Sequence, residues 1–110
     1  MKHFGFFEGM KYGKCEEKFD KYKEYRNDLP KTTILNYLKS LPISAVCPMT
    51  TVDIFDNQLI EQAGIIIDGN FIFPVDFIHY YEKYCIGIPT EYEDYVKTIL
   101  DKKETFSGGI

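Results

Sequence analysis

Apolar positions recur along this chain in two rhythms, and the change falls at Pro42. Upstream the spacing is helical. Cys15, Phe19, Tyr22 and Arg26 fall at i, i+4, i+7 and i+11 on one stripe, and Ile34, Leu35, Leu38 and Leu41 repeat on another. The first pattern predicts a helix over 15–26, broken by Asn27-Asp28-Leu29-Pro30, and the second predicts a helix that starts near Thr32 or Thr33 and stops at Pro42. Phe4–Phe7, a short aromatic run among glycines, reads as a brief strand or an extended arm.

Downstream of Pro42 the period becomes strand-like. Ile43–Cys47 and Thr51–Phe55 are β-prone runs, and Asp56-Asn57 supplies a turn before Leu59-Ile60. The strongest local signal follows, where Gly64-Ile65-Ile66-Ile67 and Phe71-Ile72-Phe73 flank Asp68-Gly69-Asn70 and predict a tight antiparallel hairpin. Pro74 then reads as the opening of a helix with Asp76 in its first turn, Phe77, Ile78, Tyr81 and Cys85 inward, and His79, Tyr80, Glu82 and Lys83 toward solvent. A final helix starts at Thr90, with Glu93 as the second half of a capping box and Tyr92, Tyr95, Val96, Ile99 and Leu100 as its inward stripe. Residues 102–110 read as a mobile tail. The resulting expectation is an α+β fold, a small antiparallel sheet of three or four strands around the 64–73 hairpin, packed with about four helices in one domain over 1–110.

Length and composition fit that picture. A chain of 110 residues, 45% hydrophobic and 27% charged, can build a core without metal or disulfide. Its nine Tyr and nine Phe, with no Trp, place rings that can keep a hydroxyl wet at the core edge or in an interface. Cys15, Cys47 and Cys85 are odd in number and lack C-x-x-C spacing, so they read as buried thiols of a reducing compartment. Neither a signal peptide nor a bilayer-length apolar run is recognisable, and the expected location is the cytoplasm.

Charge is uneven. Residues 1–42 sum to +3 and residues 43–110 to −7, and the 43 residues between Lys39 and Lys83 contain no Lys or Arg but six carboxylates. Such a segment repels nucleic acid and steers a basic partner inward. The expected partner-binding residues are therefore Asp53, Asp56, Glu61, Asp76, His79, Tyr80 and Glu82, with Asp56, Asp68 and Asp76 equally able to cap turns.

Catalytic chemistry has little to build on. His79 shares a helical face with Asp76 and Glu82, but such pairs are ordinary surface contacts, and His3 sits at a chain end. No Walker, dinucleotide, nucleophile-elbow or EF-hand spacing occurs, so neither catalytic nor metal residues nor a cofactor are assigned.

Residues 68–93 carry a pattern: an aspartate-glycine turn, the aromatic strand Phe71-Ile72-Phe73, an acidic helix start, Tyr80-Tyr81, Glu82-Lys83-Tyr84, Ile88-Pro89 and Glu91-Tyr92-Glu93. With the Phe4-Gly5-Phe6 opening, the chain resembles a group of small uncharacterised bacterial proteins similar to the immunity proteins of polymorphic-toxin and contact-dependent inhibition systems. That resemblance implies a cytoplasmic, non-catalytic protein that occludes the active site of one cognate toxin, a basic toxin domain being the partner that charge would favour. A small regulatory or adaptor protein is the alternative, and an enzyme using the helix around His79 a third. The sequence is silent on oligomeric state.

Overall fold

A computed structural model describes residues 1–12, 15–60 and 62–108, with side chains through Lys102. The hairpin organises it. Strands β5 (Gly64–Asp68) and β6 (Phe71–Pro74) pair antiparallel in the register Ile66↔Phe73 and Asp68↔Phe71, joined by the two residues Gly69-Asn70. Gly69 takes φ +61, as the first central residue of a type II′ turn requires. To one side β1 (Lys2–His3) runs parallel to β6, and to the other β2 (Ala45–Val46) runs antiparallel to β5, giving the order β1-β6-β5-β2. A separate antiparallel pair, β3 (Thr51–Val52) and β4 (Leu59–Ile60), forms a second small sheet. The architecture is α+β, and the main sheet is mixed rather than purely antiparallel because the amino-terminal arm joins it in parallel.

Alternation decides which side of the hairpin is inside. Ile66, Phe71 and Phe73 are buried, whereas Ile65 and Ile72 are half-buried and Ile67 is exposed. Among the described residues four helices complete the fold: α1 (Phe19–Tyr22), α2 (Lys31–Ser40), α3 (Asp76–Lys83) and α4 (Thr90–Gly108). Their buried residues include Tyr22, Ile34, Leu38, Phe77, Tyr81, Tyr92 and Val96, which meet Phe4 and Phe7 from the amino-terminal arm. Phe4 stacks on Phe73 at 4.8 Å between centroids, and Phe7 meets Tyr22 and Tyr80 edge-on at 4.9 and 5.4 Å. Each such pair contributes about 0.5–1.5 kcal/mol beyond area burial, so this ring network is a principal cohesive element of the core.

Several boundaries differ from the sequence expectation. The helix predicted over 15–26 shrinks to one turn because the peptide groups of Glu17 are engaged with the amino-terminal arm: its N–H donates to the Phe6 carbonyl and its carbonyl accepts from Glu8 N–H. Pro74 ends β6 instead of opening α3, and Val75 donates to the Gly64 carbonyl across the hairpin at 2.8 Å. On α3 the inward set is Asp76, Phe77, Tyr80 and Tyr81, while Cys85 beyond its end is exposed and Ile78 half-buried. The β3–β4 hairpin causes this, since its connecting loop covers the side of α3 expected to face solvent: the Ile54 N–H donates to the Tyr80 hydroxyl at 2.9 Å. Cys15 and Cys47 are half-buried rather than interior. Where a tail was expected from 102, α4 continues to Gly108.

Gly69 is also pressed against Tyr95, whose ring a Cβ would meet at 2.6–2.8 Å. Gly69→Val should therefore destabilise the fold by about 1–3 kcal/mol through positive-φ strain alone, with that contact in addition. Asn70→Ala should have a smaller effect. Urea midpoints of the two variants decide the point, and equal shifts would place the turn elsewhere.

Candidate functional site

Asp53 follows β3 directly and begins the loop that folds over α3. Its carboxylate is fully buried and accepts four hydrogen bonds, from Phe55 N–H at 2.8 Å, Asp56 N–H at 3.4 Å, His79 Nε2–H at 2.8 Å and the Tyr84 hydroxyl at 2.8 Å. The two backbone bonds make an Asx-type turn, and Lys83 Nζ lies 3.7 Å away. Burial pushes this carboxyl up, but the donors from Phe55, His79, Tyr84 and Asp56 outweigh it and hold the group below its ordinary value. With a carboxylate as acceptor, the Nε2 atom of His79 carries the proton. A carboxylate that orients an imidazole is half of a catalytic arrangement; no serine, threonine or cysteine among the described residues is hydrogen-bonded to His79 to complete it.

Two further carboxylates are buried nearby in sequence but apart in role. Asp68, at the end of β5, accepts from the hydroxyls of Tyr37 at 2.8 Å, Tyr92 at 2.7 Å and Tyr95 at 3.4 Å, which ties the sheet to α2 and α4. Burial, followed by the Asp68 bond and charge, pushes the Tyr37 and Tyr92 phenols far up, so both remain donors at any ordinary pH. Asp76 opens α3, only 1% exposed, and accepts from the Tyr12 hydroxyl at 2.6 Å. Burial dominates there and holds the carboxyl above its ordinary value, in spite of Tyr12 and the adjacent Thr51 hydroxyl. Thr51 Oγ1 stands close to this carboxyl without reaching hydrogen-bonding geometry to it or to any other described group.

The expected partner-binding residues are thus dispersed. Asp53, Asp76 and Tyr80 are interior, the first and last with no exposed surface. His79 is partly covered, its side chain 20% exposed. Asp56 and Glu82 do reach solvent, but Lys83 pairs with the first and Lys39 with the second. Glu61 lies outside the described residues. Glu93, expected to complete a capping box with Thr90, is buried and clamps the 27–29 loop instead, accepting from Leu29 N–H at 2.9 Å and the Asn27 side-chain amide at 3.3 Å.

What sequence reasoning missed is apolar. Apart from Met1, the exposed large hydrophobic residues among those described are Ile43, Val46, Val52, Phe55, Leu59 and Ile67, all within the same Lys-free segment. Val52 and Leu59 are direct cross-strand partners on β3–β4, and Val46 stands on the edge strand β2. On the outer sheet face a cleft of about 620 Å³ lies between Ile65, Ile72, His3, Phe6, Tyr12 and the glutamates 16 and 17. The alternation of the Ile65–Ile67 run was a usable signal, since three consecutive isoleucines in a strand must place at least one side chain on each face.

Among the described residues no group of three or more His, Cys, Asp or Glu can hold a metal ion, and no helix is long and apolar enough to cross a membrane. No family model, curated protein or solved structure matches the chain.

Removing Asp68 should strand two buried hydroxyls. Asp68→Ala is expected to lower stability by about 1–3 kcal/mol for each of Tyr37 and Tyr92, clearly more than Tyr92→Phe, which leaves Asp68 two donors. Chemical denaturation of both variants tests this, and an equal effect would mean the cage is not cooperative.

Asp53 and Asp76 should respond to acid with opposite sign. A carboxyl held low stabilises the fold above its unfolded value of about 3.9, and that contribution is lost as pH falls through the folded-state value. A carboxyl held high binds its proton more tightly in the fold, so stability falls as pH rises from the unfolded value through the raised one. Asp53→Asn should flatten the acid-side loss, and Asp76→Asn should remove a loss on the less acidic side. Urea midpoints followed from acid to neutral pH give both slopes; changes of the same sign would contradict the assignment.

Proposed function

We propose that this chain is a non-catalytic protein-binding domain whose contact surface is the apolar face presented by β2 and the β3–β4 hairpin. One observation carries the reading: among the described residues, the exposed large hydrophobic side chains beyond Met1 all fall between residues 43 and 67, while Asp53 of that stretch is buried and Asp56 is paired with Lys83. Exposed apolar clusters on a soluble surface characteristically mark protein contacts, and the apolar centre of an interface, more than its charged rim, determines how slowly a complex dissociates. The partner is a folded protein with a complementary apolar patch.

That the partner is a bacterial toxin neutralised by active-site occlusion rests on the resemblance at residues 68–93. In the fold those residues are largely architectural: Asp68 collects three tyrosines, Gly69 makes the turn, Tyr80 and Tyr81 fill the core, and Glu93 clamps a loop. The resemblance therefore supports a shared architecture first and a shared role through it.

Val52→Asp combined with Leu59→Asp changes only the exposed face of one hairpin. With the partner captured from the native cell, the double variant should bind at least about tenfold more weakly, roughly 1.4 kcal/mol, while its unfolding midpoint stays near the parent's. Asp56→Lys with Glu82→Lys should alter chiefly the association rate. Unchanged affinity in the hairpin variant would refute the apolar face. If the partner is a toxin, co-expression should restore growth with the parent chain and not with the hairpin variant.

A further inference from the structure

The cleft of about 620 Å³ on the outer sheet face shares no lining residue with β2, β3 or β4. Strand register sets its floor. His3 faces Ile72 across β1 and β6, and Ile72 faces Ile67 across β6 and β5, so these side chains and Ile65, two positions from Ile67, project from one side of the sheet, opposite buried Ile66, Phe71 and Phe73. One wall is aromatic: Phe6 meets His3 at 6.0 Å and Tyr12 at 6.1 Å between ring centroids, the latter edge-on. The Tyr12 hydroxyl donates to Asp76 at 2.6 Å and accepts from Gly64 N–H at 3.0 Å, which fixes the ring that lines the cleft. The other wall is acidic. Glu17, its side chain 25% exposed, accepts from Phe6 N–H at 3.4 Å and from the Tyr22 hydroxyl at 2.8 Å, and Glu16 is exposed beside it. A carboxylate offers about four lone-pair sites, so Glu17 retains capacity for a further donor. Among the described residues the lining contains no lysine or arginine, and the nearest cation to Glu17 is Lys21, with Nζ at 3.7 Å. The volume falls within the roughly 300–1,000 Å³ of small-molecule sites, which are concave, mostly apolar and carry a few fixed polar groups.

We propose that this cleft binds a small amphipathic organic cation, an apolar ring system carrying one amine, with the rings on Ile65 and Ile72 and the ammonium between the Phe6 ring and the carboxylates of Glu16 and Glu17. Each part of such a ligand meets its complement. The floor takes apolar area out of water, an aromatic face attracts a cation through its quadrupole, and a carboxylate adds a charge-assisted hydrogen bond. An anion of the same shape meets two like charges at the acidic wall, and a neutral analogue gains from the floor alone. The rings and Glu17 are held by bonds within the protein, so little ordering accompanies binding. The site goes beyond the protein-binding reading, because it is lined from the amino-terminal arm, β1, β5, β6 and the 16–17 segment and not from the hairpin surface.

Tryptamine serves as the probe, with tryptophol, the same ring and chain ending in a hydroxyl, as its neutral counterpart and indole-3-acetate as the anion. Titrated into the isotope-labelled chain, tryptamine should give saturable NMR shifts centred on His3, Phe6, Tyr12 and Ile72. Tryptophol, and ethylamine as the head group without the rings, should each bind at least about tenfold more weakly, and indole-3-acetate should not saturate. Glu16→Gln, at an exposed position, should weaken tryptamine several-fold while the unfolding midpoint stays near the parent's. Ile72→Thr, which keeps a β-branched residue in β6, should weaken it as well. Absence of saturable shifts, equal binding of tryptophol or ethylamine, or indifference to either substitution would overturn the proposal. A capped arginine tripeptide that binds more tightly than tryptamine would overturn it in favour of a partner's side chain. Val52→Asp with Leu59→Asp should leave tryptamine binding unchanged, and a loss there would place the ligand on the hairpin and overturn the cleft. The cleft and the hairpin surface thus stand or fall by separate measurements.

Discussion

The fold depends on keeping carboxylates inside it hydrogen-bonded. Asp53, Asp68, Asp76 and Glu93 are all buried, and a buried ionised group is tolerable only where donors replace the water it loses. Tyrosine supplies much of that replacement: Tyr37, Tyr92 and Tyr95 for Asp68, Tyr84 for Asp53 and Tyr12 for Asp76. A phenol suits the task because its ring adds to the apolar core while its hydroxyl donates at the boundary. The tyrosine-rich, tryptophan-free composition is a consequence of this arrangement. Each bond also joins elements distant in sequence, sheet to helix or loop to helix, so the polar network fixes which elements lie together while the rings fill the space between them.

That arrangement changes the meaning of the charge pattern. A run of 43 residues with six carboxylates and no basic residue suggests an outward acidic surface. In the fold, three of the six are internal acceptors and Asp56 and Glu82 are paired with Lys83 and Lys39. Net charge along a sequence is a sum over positions, and it carries no record of which side chains are solvated. The same stretch leaves outward a set of apolar side chains, because the two-residue strands β3 and β4 each turn one side chain out and both residues of β2 are exposed.

The elements differ in how well they could be read. The β5–β6 hairpin was legible in its pairing and its turn, though not in Asp68 and Pro74 joining its strands, since a glycine turn between two alternating runs has few alternatives and Gly69 adopts the positive φ that the turn demands. Helices α2 and α3 were legible in existence and approximate span. The inward face of α3 was legible at Phe77 and Tyr81 but not at Asp76 and Tyr80, because a helix of eight residues can be covered from two sides, and the hairpin loop at Ile54 that covers Tyr80 lies 26 residues upstream. The helix predicted over 15–26 failed for a related reason: its periodicity was real, but the peptide groups of Glu17 are more fully satisfied beside Phe6 and Glu8 than in a helical turn.

The sequence by itself determined the α+β class, the hairpin and its turn, and the positions of the main helices, because these follow from φ preferences, breakers and periodicities that act within a few residues. Only the tertiary structure decided the fate of the polar groups. His79 meets Asp53 rather than Asp76 or Glu82, Glu93 clamps Leu29 rather than capping its own helix, and Thr51 is buried although it lies in a strand of only two residues. Whether a carboxylate faces solvent, a lysine or a tyrosine depends on what the rest of the chain brings against it, and a hydrogen bond between residues 26 or 64 positions apart leaves no periodicity to read.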